Sequence, residues 1–261
     1  MKYMVKYDKW CDRTDAKVKT HDLRVLTGKD ARLDQAIALV AEKVPTHFAA
    51  EERLAGVLKR LGKEKAAKYI EAKLPQSVKI RSGDLGEILA CEYVDEATDY
   101  AMAIKRLRWK DHREMSMRGD DLIAVKMPEG KAPLKFLKGE IKSRVALTTA
   151  VVEEARKALR ANSGRPSPHA LTFVADRLRE IGDHDIANAI DDAQLKTSIK
   201  PNQVAHLLFT FSGNDPKAFL EEDLKSYKGQ VQQYGVGLRV KEHKAFVRAV
   251  YEKVIADGHD D

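Results

Sequence analysis

Two acidic residues and a lysine have the types and spacing of a divalent-cation site. Asp121 opens a short apolar run, and Glu140 ends a second apolar run two residues before Lys142. Side chains in a strand alternate between its faces, so Glu140 and Lys142 are expected to point the same way. If Asp121 opens the neighbouring antiparallel strand, its carboxylate can meet Glu140 at a shared ion.

The chemistry that such a set supports is phosphodiester hydrolysis. A water must be activated beside a negative phosphate, and extra negative charge must be stabilised in the transition state. Hard divalent ions do both, and Mg²⁺ is usually held by one or two carboxylates together with waters and substrate oxygens. Two converging acids with a lysine beside them form a minimal site of this kind.

The Glu-x-Lys spacing alone is weak evidence for that site. It recurs at Glu71/Lys73, Glu129/Lys131 and Glu242/Lys244. Only the pair at 140 and 142 ends an apolar strand and follows an Asp that begins another. The alternative is a surface hairpin with solvated ends, in which Asp120 and Asp121 make a turn and Lys142 pairs with a nearby acid. Spacing alone leaves both interpretations open.

The elements that must position these residues follow from the apolar periodicity. Up to Pro75, which marks a plausible module boundary, the pattern predicts strands at 2–7 and 17–26 and helices at 30–44, 51–61 and 64–74. Next comes a helix from Ser82, its expected N-cap, to about 94. Strands at 101–109, 121–125 and 134–142 follow, and then a helix at 150–161 capped by Thr148 or Thr149. The remainder predicts helices at 170–181, 185–193 and 242–255 and strands at 203–211 and 236–240.

Composition favours a soluble globular protein. Of the 261 residues, 43% are hydrophobic and 33% are charged. With neither a long apolar run nor a signal-like N-terminus, the chain is expected to be cytoplasmic. The two cysteines, Cys11 and Cys91, and the eight histidines lack metal-ligand spacing, which argues against a zinc or disulfide framework. The sequence predicts no ATP-binding loop.

The charge balance hints at a polyanionic partner. Lys and Arg outnumber Asp and Glu by 47 to 40, a formal charge of +7. The segment 105–118 holds six basic residues against two acids, with Trp109 inside it. Such a segment can line a DNA groove through phosphate contacts, although a solvated face is an equal alternative for any single member. The candidates for DNA contact are Lys110, Arg113, Arg118, Ser143 and Arg144.

Three motifs carry a resemblance to a known superfamily. They are Gly83-x-x-Gly86-Glu87 on a helix, Asp121-Leu122-Ile123-Ala124, and Gly139-Glu140-Ile141-Lys142-Ser143-Arg144. Together they resemble the PD-(D/E)XK, restriction-endonuclease-like nucleases. More narrowly, the chain resembles the HamA family, the nuclease subunits of Hachiman anti-phage systems. This closer likeness rests on the segments 81–87, 117–121 and 138–143 and on overall length.

The resemblance implies a fold and a site. The expected fold is α/β (α+β), a mixed central sheet flanked by helices, with an N-terminal α/β module at 1–75 and a nuclease-like domain at 76–261. Asp121 and Glu140, with the Ile141 carbonyl, would hold Mg²⁺, for which Mn²⁺ is expected to substitute. Lys142 would position the attacking water. Glu87 would reach the same site, as a second-metal ligand or through a bound water. Asp120 stands where the motif has Pro, and it is the fallback ligand.

The resemblance also implies a function. It points to a DNA endonuclease effector with little sequence specificity, controlled by a helicase or ATPase subunit (HamB-like), with no membrane involvement. RNA cleavage stays open, because the same ion chemistry serves either backbone. A basic DNA-binding or assembly subunit that keeps a nuclease-like fold without chemistry is the alternative.

Overall fold

A seven-stranded mixed sheet organises the computed structural model, which describes residues 4–128, 130 and 132–259. Its strands are β1 (Cys11–Val18), β2 (His21–Gly28), β3 (Ala101–Met102), β4 (Leu122–Lys126), β5 (Lys135–Arg144), β6 (Val204–Ser212) and β7 (Gln232–Arg239). They lie in the order β1-β2-β7-β6-β5-β4-β3. The four central strands β2, β7, β6 and β5 are parallel, whereas β1, β4 and β3 are antiparallel to their neighbours.

Helices flank this sheet. They are α1 (Tyr7–Trp10), α2 (Leu33–Phe48), α3 (Glu51–Leu61), α4 (Lys63–Lys73), α5 (Val78–Ala97), α6 (Thr149–Arg160), α7 (Pro168–Glu180), α8 (His184–Asp191), α9 (Lys217–Ser226) and α10 (His243–His259). The predicted class, a mixed sheet flanked by helices, is confirmed. None of the described helices is both long enough and apolar enough to cross a membrane.

The core lies on both sides of the sheet. All nine residues of β6 are buried, as expected for a parallel strand covered on both faces. The largest apolar cluster joins α2, α5 and α10 to one face, where Trp10, Phe48 and Tyr251 are almost completely buried. Two smaller clusters involve α7 with α8 and α6 with α9. The sheet is therefore a rigid middle layer for the residues at its edges and strand ends.

The first 75 residues contribute to this same sheet and core. Strands β1 and β2 form a hairpin, and β2 pairs in parallel with β7 through a register that includes Asp22 opposite Tyr234. Helices α2 and α4 pack against α10. The boundary near Pro75 stays a prediction.

Some predicted elements were wrong. The strand predicted at 2–7 lies partly outside the described residues, and Tyr7 begins α1 instead. The strand predicted at 17–26 is a hairpin, turning at Lys19, whose φ is 56°. The inner six residues of β1 are all exposed, so this edge strand lacks the alternation that predicts a strand.

The segment before the candidate site also differs from prediction. Helix α5 begins one turn earlier than expected, because Ser77 rather than Ser82 caps it by accepting a hydrogen bond from the Ile80 N–H. The strand predicted at 101–109 is reduced to Ala101–Met102, followed by a 3₁₀ turn at Arg106–Trp109. Helix α9 was not predicted. The remaining helices and strands overlap their predictions, and Thr148 caps α6.

Candidate active site

Asp121 and Glu140 lie on neighbouring antiparallel strands. Leu122 pairs with Gly139 in the β4–β5 register, so Asp121 and Glu140 are the next pair outward. The Ile141 N–H donates to Asp121 Oδ2 at 3.0 Å, which fixes the Asp121 carboxylate against β5. The predicted convergence of two acids at this strand end is therefore present.

Two glycines allow the elements of the site to approach closely. A Cβ on Gly139 would lie 2.9 Å from the Cβ of Leu122, too close for β4 to keep its place. A Cβ on Gly86 would lie 3.1 Å from the Cβ of Ser143, so this glycine lets α5 pack directly on β5. Both motif glycines therefore have a packing role.

Glu87 reaches the site from α5 through an arginine. Arg106 holds Glu87 with two hydrogen bonds, Nε to Oε2 at 2.9 Å and Nη2 to Oε1 at 3.1 Å. Its Nη2 also lies 3.4 Å from Asp121 Oδ1, and its Nη1 donates to the Asp120 carbonyl at 2.8 Å. Burial favours a lower pKa for Arg106, but the Glu87 and Asp121 carboxylates outweigh it and raise the pKa above its ordinary value. The only sequence signal for Arg106 was its place in the basic run.

Lys142 lies between two carboxylates. Its ammonium is 2.9 Å from Glu140 and 2.8 Å from Glu154, which α6 supplies. Burial lowers the pKa of Lys142, but hydrogen bonds to Glu154 and Glu140 more than offset it and raise the pKa. Lys142 is therefore a stable cation. No pattern in the sequence predicted that Glu154 lies here.

Two carboxylates of this cluster, Asp121 and Glu140, are held where ionisation is unfavourable. Burial, then the charges of Glu87 and Glu140, raise the pKa of Asp121. Burial also raises the pKa of Glu140, although Lys142 partly offsets it. With Glu154 counted, four carboxylates face two cations, Arg106 and Lys142. When all are ionised the cluster has an excess of two negative charges, the charge that one divalent cation neutralises.

Asp120 has a different environment from Asp121. Its Oδ1 lies 3.2 Å from the almost completely buried ammonium of Lys138, and its Oδ2 accepts from the Ser167 N–H at 2.7 Å. Lys138 also donates to the carbonyls of Ala161 and Arg165. The Asp120 carboxylate therefore ties β4 to the start of α7.

The donor set suits a hard cation with few protein ligands. Within the described residues, no group of three or more His, Cys, Asp or Glu side chains lies at metal-ligand spacing. Mg²⁺ commonly takes only one or two carboxylates and completes its shell with waters and phosphate oxygens. Asp121 and Glu140, with a backbone carbonyl between Glu140 and Lys142, fit that requirement.

Comparison with known proteins places the chain in a family. A family model described as HamA matches residues 5–254. The chain belongs to the HamA family. It is 27% identical over 252 residues to the Hachiman protein HamA of Bacillus cereus, an alignment that covers 94% of this chain and 89% of the relative. Membership in the HamA family supports a role as a component of Hachiman anti-phage defence.

The residues predicted to contact DNA have unequal access to solvent. Arg118 and Arg144 are exposed, and Arg113 is partly exposed. Ser143 is buried, with its hydroxyl 2.8 Å from that of Ser82 and 3.0 Å from His243 Nε2. The Lys110 side chain is only 4% exposed.

Lys110 forms an ion pair inside the protein. Its ammonium lies 2.6 Å from Asp84 Oδ2. Asp84 engages the Lys110 ammonium, and Ser82 and His243 engage the Ser143 hydroxyl. The proposed DNA contacts of Lys110, Arg113, Arg118, Ser143 and Arg144 stay predictions.

A cavity of about 480 Å³ adjoins Asp121 in this member of the HamA family. It lies between the segment 102–118 and the first half of α7. Arg106 and Asp121 line its wall, together with Arg118. The cleft is therefore continuous with the carboxylate cluster at one end.

Proposed function

We propose that this HamA-family protein is a Mg²⁺-dependent DNA endonuclease of the PD-(D/E)XK type. The observation that carries the proposal is the meeting of Asp121, Glu140 and Lys142 at the ends of two paired strands, with excess negative charge in a partly desolvated cluster. Such a cluster is unfavourable by itself and favourable around a divalent cation. The exposed arginines near this cluster suit a polyanionic substrate.

In the proposed reaction, Asp121, Glu140 and the Ile141 carbonyl would hold the ion. Bound Mg²⁺ would acidify a water and stabilise the charge that develops on the phosphate and the leaving oxygen. Lys142 keeps its proton because two carboxylates flank it, so it orients the water and neutralises charge rather than accepting a proton. Glu154 and Glu140 together fix the position of the Lys142 ammonium.

The proposed role of Glu87 follows from its contact with Arg106. Both oxygens of Glu87 are hydrogen-bonded to Arg106, so a second metal would compete with Arg106 for the Glu87 carboxylate. In the present arrangement Glu87 holds Arg106 against Asp121 and the Asp120 carbonyl. Between the two candidate ligands, Asp121 is favoured, because Lys138 and Ser167 already engage Asp120.

The proposal includes a partner. Membership in the HamA family supports assembly with a helicase or ATPase subunit, HamB-like, that would control cleavage. The exposed Arg118 and Arg144, at the sequence edges of the acidic motifs, support contact with DNA through its phosphates rather than its bases. Cleavage with little sequence preference follows from such contacts.

A non-catalytic DNA-binding subunit is the second candidate. The observation that favours it is Arg106, whose guanidinium already neutralises Glu87 and part of Asp121. A charge-neutralised cluster would have less affinity for a metal ion. The two candidates therefore differ in whether the carboxylates of the cluster serve chemistry or only stability.

Plasmid cleavage separates the two candidates. Supercoiled plasmid is incubated with the protein, alone and with the proposed helicase subunit, in Mg²⁺ or in EDTA. We expect Glu140→Gln and Lys142→Met to lower the cleavage rate by about 10²–10⁴-fold, the usual effect of removing a group that manages the reacting water. Glu153→Gln, an exposed neighbour of Glu154, is the matched control and retains the rate. Wild-type protein that binds DNA but cleaves under none of these conditions would support the non-catalytic candidate.

A further inference from the structure

The cavity beside Asp121 has an apolar wall of methionine and aromatic side chains. That wall contains three methionines and two aromatic rings: Met102, Met115, Met117, Trp109 and Phe173. Met115 is 55% exposed, so thioether surface reaches the opening. The Trp109 and Phe173 rings pack edge to face with centroids 6.5 Å apart. Methionine and aromatic side chains offer polarisable surfaces on which flat π systems pack well.

The polar groups of the cavity lie at defined places. Arg106 and Asp121 join it to the carboxylate cluster, and Arg118 and His169 also line it. Arg118 is exposed and makes no hydrogen bond or ion pair with any part of the chain that the structure describes. An unengaged guanidinium beside an apolar cleft suits a ligand that is flat and apolar in one part and anionic in another.

We propose that this cavity binds one nucleobase of the DNA strand whose phosphate lies at Asp121 and Glu140. The proposal rests on the function proposed above and adds the form of the substrate. A volume of about 480 Å³ falls in the range of small-ligand pockets, roughly 300–1,000 Å³. The base packs against the methionines and Phe173, and Arg118 contacts a neighbouring phosphate.

An unpaired substrate follows from this arrangement. A base inside a duplex is stacked and paired, and it enters a pocket only after it is extruded from the helix, at a cost of a few kcal/mol. Single-stranded DNA and frayed ends avoid that cost. The protein therefore prefers strands with unpaired bases, even though its phosphate contacts carry no sequence information.

The test uses full-length protein carrying Glu140→Gln, so that DNA is bound in Mg²⁺ but not cut. A fluorescent single-stranded oligonucleotide is scanned with one abasic site at each position, and binding is measured by anisotropy. We expect one position at which loss of the base weakens binding about tenfold, an effect typical of one lost base stack. A duplex of the same sequence binds more weakly than the single strand.

Variants of the cavity wall provide the second readout. Met115→Ala combined with Met117→Ala is expected to abolish the difference between the intact and the abasic oligonucleotide, and Arg118→Ala weakens binding of both. Met127→Ala and Arg248→Ala are matched controls, since these side chains are exposed and do not line the cavity. Both controls should bind like the parent protein.

Three results would overturn the nucleobase site. They are equal binding of every abasic oligonucleotide, equal loss of single-strand and duplex binding in the methionine variant, and no DNA binding at all. Plasmid cleavage by the protein with an intact Glu140 is measured separately. If the protein cleaves plasmid but no abasic position weakens binding, only the proposed nucleobase site is wrong. If one abasic position weakens binding but the protein does not cleave, the nuclease proposal is wrong and the cavity is a DNA-binding cleft.

Discussion

Asp121 is an ionisable group in a place that disfavours its charge. Burial and the neighbouring Glu87 and Glu140 raise its pKa, so the folded protein holds this proton to a higher pH than the unfolded chain does. The folded state therefore binds more protons in that interval, and stability falls as the pH rises above the ordinary carboxyl range near 4. A divalent cation reverses this penalty by favouring the charged form.

Replacing Asp121 by Asn is expected to stabilise the metal-free protein. The Asn oxygen still accepts from the Ile141 N–H, while the repulsion with Glu87 and Glu140 disappears. In EDTA at pH 8 we expect the melting temperature to rise by about 2–4 °C, which corresponds to roughly 1 kcal/mol in a domain of this size. The difference should shrink at pH 5, where wild-type Asp121 is largely protonated. A lower melting temperature for Asp121→Asn at pH 8 would contradict this account.

Metal binding should raise the melting temperature of the protein. Wild-type protein is expected to melt at a higher temperature in excess Mn²⁺ or Mg²⁺ than in EDTA, since a ligand that binds only the folded state stabilises it. The shift should vanish in Glu140→Gln and persist in the exposed control Glu153→Gln. An equal shift in Glu140→Gln would place the bound ion elsewhere.

The sequence could predict the members of the site that a local rule governs. Strand alternation predicts that Glu140 and Lys142 lie on the same face of their strand. The apolar run after Asp121 predicts the strand that follows this residue. The same alternation turns Ser143 to the other face, against α5 and α10, which explains its burial. Arg106 and Glu154 enter only through contacts between separate elements, and no local periodicity encodes those contacts.

At the scale of elements, a buried ion pair ties α5 to the segment after the 3₁₀ turn. Lys110 and Asp84 are 4% and 6% exposed and lie 2.6 Å apart. Burial raises the pKa of Asp84 to about 7, even though Lys110 acts against this rise. The pair therefore holds the wall of the cavity against the helix that carries Glu87.

Replacing one member of this ion pair should destabilise the protein more than replacing both members. Lys110→Met leaves Asp84 buried without a partner, and we expect a loss of about 3–5 kcal/mol in the free energy of unfolding. The double variant Asp84→Asn/Lys110→Met should recover much of that loss, because no charge stays buried. Urea unfolding of the two single variants and the double variant measures the coupling. A double variant as unstable as Lys110→Met would show that packing, rather than charge, dominates.

The elements that the sequence predicted well have strong local signals. Helix α3 has its predicted bounds, and Gly62 separates it from α4 as expected, with a φ of 81°. The strand prediction for 101–109 was wrong because the apolar and basic residues of this segment contact α2, α5 and α7 from an irregular backbone. Its shape depends on what surrounds it, which a window of neighbouring residues does not contain.

For the whole molecule, the N-terminal 75 residues complete the sheet. They supply β1 and β2, and buried side chains such as Trp10, Val44 and Phe48 to the largest apolar cluster. Without them β7 becomes an open edge and α10 loses much of its packing. The pairing of β2 with β7 joins residues more than 200 positions apart, such as Asp22 and Tyr234. Local sequence patterns do not specify such a pairing.

A fragment of residues 76–261 is expected not to fold cooperatively. Circular dichroism during heating should show a broad change without a defined midpoint, and gel filtration should show aggregates. The full chain, purified in the same way, is the control. A fragment with a sharp transition and a compact elution volume would instead support an independent domain beginning near Pro75.

The β2–β7 pairing has a consequence for synthesis. The ribosome makes β7 more than 200 residues after β2, so the β1–β2 hairpin spends that part of elongation with one edge bare. An exposed edge is a template for pairing with another chain. A polypeptide released before residue 232 would keep that edge exposed permanently, and we expect it to aggregate and to be degraded rapidly in the cell. Only a polypeptide that extends through β7 can close the layer that supports Asp121 and Glu140.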